Sequence, residues 1–235
     1  MKKTLTVLTM VLMSSSTLAA QLSPANPVLR PLTLKDGEVV LGASIGYGDS
    51  EDDNGGQLGL NAAYGITDDL TLGLGGIRYR MLSRGSDTAA GLELAIGAGL
   101  RGYLESDGNG DALGYGADVT GKYVFSDDFA VTFSGGYVYW NEQHLANKHE
   151  WRFSVGAEKA LGNDLTAFAD YSYRDLHGFS QNHANRYTLG VNYNLNRQWD
   201  LGLAFSYSDF DAVENGYDAD NAYRRNLGIY ATYRF

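Results

Sequence analysis

Between Arg186 and Leu195 the side chains alternate without a break. Tyr187, Leu189, Val191, Tyr193 and Leu195 fall on one parity, and Arg186, Thr188, Gly190, Asn192 and Asn194 on the other. The next segment repeats the pattern, with Trp199, Leu201, Leu203, Phe205 and Tyr207 against Asp200, Gly202, Ala204, Ser206 and Ser208. A period of two means strand, because successive side chains point to opposite faces of a sheet. Similar alternation fills nearly all of the chain after its first 36 residues. It predicts an all-β protein: a single transmembrane antiparallel meander β-barrel.

Two features separate this pattern from that of a soluble sandwich. The non-apolar parity is rich in small residues, among them Gly42, Ser44, Gly46, Gly59, Asn61, Ala63, Gly65, Gly114, Gly116, Thr132, Ser134 and Gly136. Such a face suits a polar interior and would pack poorly against a second sheet. Aromatic residues also gather at segment ends, as at Tyr137, Tyr139 and Trp140, Tyr171 and Tyr173, Trp199, Tyr233 and Phe235, where interfacial girdles are expected. Trp140 and Trp151 flank one loop and are assigned to a girdle. No later segment is apolar for long enough to form a membrane helix. Strands that span lipid must close on themselves, since hydrocarbon leaves edge N–H and C=O groups without partners.

Turn chemistry sets the strand count. Thr67-Asp68-Asp69, Ser126-Asp127-Asp128, Leu161-Gly162-Asn163-Asp164 and Asn196-Arg197-Gln198 are short and suit the periplasmic side. Longer polar stretches, 49–56, 105–111, 141–150, 176–185 and 210–221, suit the outer side. The last three short turns lie about 35 residues apart, but Asp68 and Asp127 are separated by 59. A concealed turn near Gly97-Ala98-Gly99 fills the interval and puts Gly85 to Asp87 in an outer loop. The alternation of Leu92, Leu94, Ile96, Ala98 and Leu100 nevertheless runs straight through that turn. With the turn the count is twelve strands; ten follow if marginal segments merge.

The first twenty residues are a secretory signal: Lys2 and Lys3, an apolar run from Leu5 to Met13, and small residues ending at Ala19 and Ala20. As a helix the apolar run would rise about 14 Å, too little to cross a core of about 30 Å. The expected organisation is therefore signal peptide 1–20, a periplasmic leader at 21–36 holding all three prolines, and a barrel at 37–235. Removing Lys2 and Lys3 takes the formal net charge from −10 to −12. So acidic a chain should not bind nucleic acid, and its charge would bias an aqueous lumen towards cations. The chain has no cysteine, so disulfides and thiolate metal sites are excluded.

The final segment carries Leu227, Ile229, Ala231, Tyr233 and Phe235 on one face. It resembles the terminal strand recognised by the barrel-assembly machinery, and the resemblance assigns that role to Leu227, Ile229, Tyr233 and Phe235. In architecture the chain resembles small outer-membrane porins, including the twelve-stranded oligogalacturonate- and sialate-type channels. The phrase from Tyr64 to Leu74, YGITDDLTLGL, also resembles transporter-like barrels linked to uptake of aromatic compounds. These resemblances imply a fold and an outer-membrane location, and no particular substrate.

The inferred inward parity offers Glu93, Arg101, Asp118, Lys122, Arg152, Glu158, Asp170, Arg174, Arg186, Asp200, Arg224 and Arg234 as lumen-lining charges. They either lock into ion pairs that brace the wall or set the field of a hydrated passage. Twelve strands enclose more room than a filled eight-stranded barrel, unless a loop or the leader plugs it. The expected function is passive diffusion of small polar solutes, with a preference for cations. Expected partners are outer-membrane lipid, lipopolysaccharide, the assembly machinery and the solutes themselves. No cofactor is expected.

Two other classes stay open. His144, His149, His177 and His183, with Glu142, Glu150, Asp175 and Ser180, could serve an outer-leaflet enzyme acting on lipid or peptide, although no family-specific arrangement is present. Their spacings fit no compact zinc motif, and the acidic run Asp49 to Asp53 lacks the EF-hand pattern. A structural or adhesive surface barrel is the third class.

Overall fold

The computed structural model describes residues 22–51, 53–86, 90–105, 111–142, 146–218 and 222–235. The signal peptide assigned to 1–20 lies outside the described residues. Twelve strands follow in chain order: β1 (Val39–Asp49), β2 (Asn54–Thr67), β3 (Leu70–Gly73), β4 (Gly76–Leu82), β5 (Gly91–Leu104) and β6 (Ala112–Ser126), then β7 (Phe129–Glu142), β8 (Lys148–Ala160), β9 (Leu165–His177), β10 (His183–Asn194), β11 (Trp199–Ser208) and β12 (Arg225–Arg234). Each pairs antiparallel with its sequence neighbours, and β1 pairs with β12 to close the barrel. The twelve-stranded meander expected from the alternation is the fold.

The route to that count differs from the expected one. Gly97 to Gly99 do not turn; they lie inside β5. The additional hairpin is β3–β4, where Gly73 pairs with Gly76 across Leu74-Gly75. Two-residue hairpin loops of this kind favour glycine. The close approach of β4 to β5 explains why glycines occur in both places. A Cβ on Gly76 would lie 2.1 Å from the Ala98 carbonyl oxygen, and one on Gly99 would lie 2.1 Å from that of Gly75. Both residues also have positive φ, +130° and +148°. Glycine in β5 is therefore an accommodation between neighbouring strands.

This change moves the β4–β5 connection to the other end of the barrel. Gly85 and Ser86 belong to the end that carries the short turns and the leader, not to the outer loops; Asp87 lies outside the described residues. Strands also extend into several stretches expected to be loops. β7 ends at Glu142 and β8 begins at Lys148, while β9 and β10 leave only 178–182 between them.

The exterior is apolar throughout the belt. Leu203, Ile229, Ile45 and Leu58 lie in register on four consecutive strands, as do Leu201, Ala231, Ala43 and Leu60. Aromatic contacts mark the rims: Trp199 and Tyr233 are 4.8 Å apart at the leader end, and Tyr137 and Trp151 are 5.1 Å apart at the loop end. Trp140 is not part of this girdle. It falls on the inward parity of β7, is only 2% exposed, and packs inside the loop end of the barrel. Gly102 and Gly114 make room for its ring; a Cβ at either would lie 2.6 or 3.1 Å from ring atoms.

Candidate functional site: the lumen

The leader is not the separate periplasmic segment expected: it enters the barrel and fills that end of the lumen, held by wall side chains. Its short 3-10 turn, Pro27–Leu29, is capped by Asn26, whose side chain accepts from the Val28 N–H at 3.0 Å. Val28 is fully buried against Val124 and Ala130, with Leu29 and Ala160 packed beside them. Wall side chains satisfy the irregular backbone. Lys122 Nζ donates to the Pro27 carbonyl at 2.8 Å, Asn194 Nδ2 to the Ala25 carbonyl at 2.8 Å, and Arg84 Nη2 to the Leu29 carbonyl at 2.7 Å. The Leu32 N–H donates to Glu93 Oε1 at 2.7 Å.

Charged contacts hold the same plug. Arg30 forms a two-pronged pair with Asp200, with both N···O distances 2.8 Å. Arg234 approaches Asp200 at 3.3 Å and Glu38 at 3.4 Å. Glu93 receives Arg84 at 3.2 Å and Arg80 at 3.6 Å, and Lys122 meets Glu158 at 2.7 Å. Of the charges expected to line the lumen, Glu93, Lys122, Glu158, Asp200 and Arg234 thus form the wall of the plugged end. A cavity of about 340 Å³ remains there, bordered by Arg30, Phe168, Tyr230 and Arg234.

The loop end holds a second group. Arg101 pairs with Asp118 at 2.5 Å, and Arg78 stands 3.8 Å from the same carboxylate. The fully buried Glu150 sits between Arg152 and Arg174, receiving Arg174 Nε at 2.6 Å. Arg186 Nη2 reaches the Ser206 hydroxyl at 3.4 Å, and Asp170 faces inward next to Gly156. A cavity of about 330 Å³ lies among Arg101, Arg152, Arg174 and Arg186. Arg224 is not on a strand: it precedes β12 and ties two loops together, 2.5 Å from Glu51 and 2.6 Å from Asp211.

Above this cavity residues 209–218, the described first part of the β11–β12 loop, fold inward as a lid. Phe210, Ala212 and Tyr217 join Leu104, Val138, Trp140, Leu176 and Ala184 in one buried apolar cluster. The Tyr217 hydroxyl donates to Glu142 and accepts from Lys148 Nζ at 2.7 Å. The Lys148 ammonium lies 4.4 Å from the centre of the Tyr217 ring, and the Arg174 guanidinium 4.4 Å from that of Phe210. Burial pushes the Tyr217 hydroxyl above its ordinary pKa, and the bond to Glu142 adds to the effect.

Of the acids proposed for the histidines, only Asp175 meets one among the described residues. His149 and His177 stack at 4.8 Å on the outer rim, and His177 meets Asp175 at 3.2 Å. Glu142 and Glu150 instead point inward to Tyr217 and the arginines, while the Ser180 N–H is held by Asn215. His144 lies outside the described residues.

Several participants escaped the sequence reading. Arg78 and Arg80 carry a legible signal, because they alternate with Ile77, Tyr79 and Met81. Arg30 lies in an aperiodic leader, and the lid loop is equally aperiodic; nothing in their spacing marks an inward position.

No family model and no curated protein matches the chain. Solved structures do. The NanC porin aligns over 82% of this chain and 98% of its own, with a TM-score of 0.55 and 12% identity. The chain has the fold of the outer-membrane porins. OmpT of Vibrio cholerae aligns over 86% of this chain and 97% of its own at TM-score 0.48 and 13% identity. A KdgM porin in complex with disordered oligogalacturonate covers 84% and 99% at TM-score 0.47 and 8% identity. With its belt of outward apolar side chains, this porin fold belongs in a bacterial outer membrane.

Proposed function

We propose that this porin-like barrel lets small polar solutes diffuse passively across the outer membrane, and that its inner wall favours anions. The observation that carries this reading is the cavity between lid and plug. Four arginines border it, and no carboxylate is among its described lining residues. The net acidic charge raised the expectation of a cation preference, but many of the acids sit at strand ends and in loops, including Asp36, Asp49, Glu51, Asp68, Asp69 and Asp128. Selectivity follows the charges along the path, not the sum over the chain. Leader and lid narrow the path at both ends, so openings should be small and brief.

The test is single-channel recording from the refolded mature protein under a potassium chloride gradient. Expected are short, low-conductance steps with a reversal potential on the chloride side. Arg186→Glu, at a residue whose only described side-chain bond is 3.4 Å long, should move the reversal potential towards potassium. A folded but silent barrel, or potassium selectivity in the unmodified chain, would refute the reading.

A further inference from the structure

The wall has a step on its loop-end half. β2 pairs with β1 along its whole upper length, from Asn54 onwards. It pairs with β3 only over Ala63 to Thr67, and the last bond on that side runs from the Leu74 N–H to the Ala62 carbonyl, 3.0 Å. β5 pairs with β4 only over Leu94 to Ala98. Among the described residues, no strand stands between Asn54–Leu60 and Leu100–Leu104. Two missing strands at about 4.8 Å spacing put the lips about 14 Å apart, axis to axis.

The position of this opening is unusual. Leu58 and Leu60, 78% and 75% exposed, are the two most exposed of the large apolar side chains described. They share registers with Leu203 and Leu201 in the lipid belt. The backbone direction is fixed by the bonds around it. Gly65 bonds Glu38 on the β1 side and Ala62 bonds Leu74 on the other. Leu58 and Leu60, on the parity of Ala62, therefore aim their N–H and C=O groups into the opening. Backbone groups at this depth need a polar partner.

Behind the opening lies charge. Gln57 on one lip and Arg101, Gly102 and Tyr103 on the other all border the arginine-lined cavity. Arg101 Nη1 also reaches the Gly75 carbonyl at the floor of the opening, 3.3 Å. Arg101 and Arg78 share the single carboxylate of Asp118, which leaves one cationic charge uncompensated within that trio.

We propose that the step is a lateral port for a single-chain amphiphile with an anionic head. The head lies inside at Arg101 and Arg78, and the hydrocarbon chain passes between Leu58, Leu60, Leu74 and Leu100 into the bilayer. The charge inside and the leucines outside select this occupant. A neutral apolar molecule would leave the arginines unmatched, and a small hydrophilic anion would leave the leucine lips unmatched. The port is separate from axial diffusion and does not rest on it.

Trp140 lines the cavity, and the other two tryptophans, Trp151 and Trp199, face outward. The variant Trp151→Phe/Trp199→Phe, refolded in phospholipid vesicles, therefore reports on the cavity alone. Titration with 2-bromododecanoate should quench Trp140 fluorescence to saturation. 12-Bromododecanoate should quench at least fivefold less, because its bromine stays in lipid. Bromoacetate should need at least tenfold more for half-saturation, and Arg101→Gln in the same background should raise the half-saturation of 2-bromododecanoate about tenfold. If Arg101→Gln does not fold, as read by heat-dependent gel mobility, the comparison of bromine positions decides alone. Equal quenching from both positions, bromoacetate as effective as the long acid, or no quenching overturns the proposal. Spontaneous disulfide dimers of Leu60→Cys would overturn it too, because a second copy would then cover the step.

Discussion

Arg30→Ala should unplug the barrel. In the native chain the guanidinium makes two 2.8 Å contacts with Asp200, and the two side chains are 15% and 3% exposed. Removing one member of a buried pair typically costs about 3 to 5 kcal/mol, because the remaining charge stays desolvated. Here Arg234 still approaches Asp200 at 3.3 Å and Asn194 donates to it at 2.6 Å, so the lower end applies, about 3 kcal/mol. The strands do not lose this energy, because Arg30 belongs to the leader. The loss falls on the equilibrium between docked and undocked leader and shifts it roughly 150-fold. Single-channel recording should show a large rise in open probability and a higher conductance, with the same thermal stability of the barrel. Limited proteolysis from the leader side should cut within residues 22–36 of the variant and spare the native chain. Unchanged gating together with an uncut leader would refute the plug; a drop in barrel stability without undocking would show that Arg30 braces the wall.

Two further outcomes check other parts of the structure. Leu203→Arg puts a charge in the middle of the lipid belt and should destabilise the barrel by about 2 to 4 kcal/mol, measured by urea unfolding in vesicles; a change below about 1 kcal/mol would place Leu203 near an interface instead. For the lid, the raised pKa of Tyr217 means that the docked state holds its proton more tightly than the undocked one. Docking is therefore undiminished below the ordinary tyrosine pKa of about 10 and weakens as pH rises beyond it. Open probability should climb above about pH 10 in the native chain, and Tyr217→Phe should remove that pH dependence.

Most of the wall was legible because a membrane barrel imposes one rule on every strand. Outward residues meet lipid and inward ones meet a polar interior, so parity alone located Leu201, Leu203, Ile229 and their partners. The same rule placed Arg101, Asp118, Arg152 and Arg174 inside. Where a second constraint acted, parity misled. Gly97 and Gly99 resembled a turn, but the glycines answer to neighbours: the hairpin tip at Gly75 and Gly76 presses on Gly99, and the Arg101 and Asp118 side chains crowd Gly97. The Gly73-Leu-Gly-Gly76 tip, the stronger turn signal, was hidden because its flanking strands are only four and seven residues long. Trp140 was assigned to a girdle from its place beside Tyr139, although its own parity is inward. A plug formed by a loop or the leader was open from the sequence, but not the residues that seat plug and lid, because they are held by side chains distant in sequence: Arg30 by Asp200, and Tyr217 by Glu142 and Lys148.

The seam has a kinetic consequence. Every other pairing joins a strand to its sequence neighbour and can form as soon as a local hairpin does. β1 and β12 are paired from Val40↔Arg234 to Asp49↔Arg225, and Val39 and Phe235 exchange backbone bonds of 2.8 and 3.0 Å beyond them. That one contact spans about 190 residues, so its loop-closure entropy is met in a single late step. Until then the chain is a curved open sheet with two bare edges, and its lifetime in that form sets its exposure to mispairing. Substitutions along the seam should therefore slow maturation of newly made chains far more than substitutions of equal severity between β6 and β7.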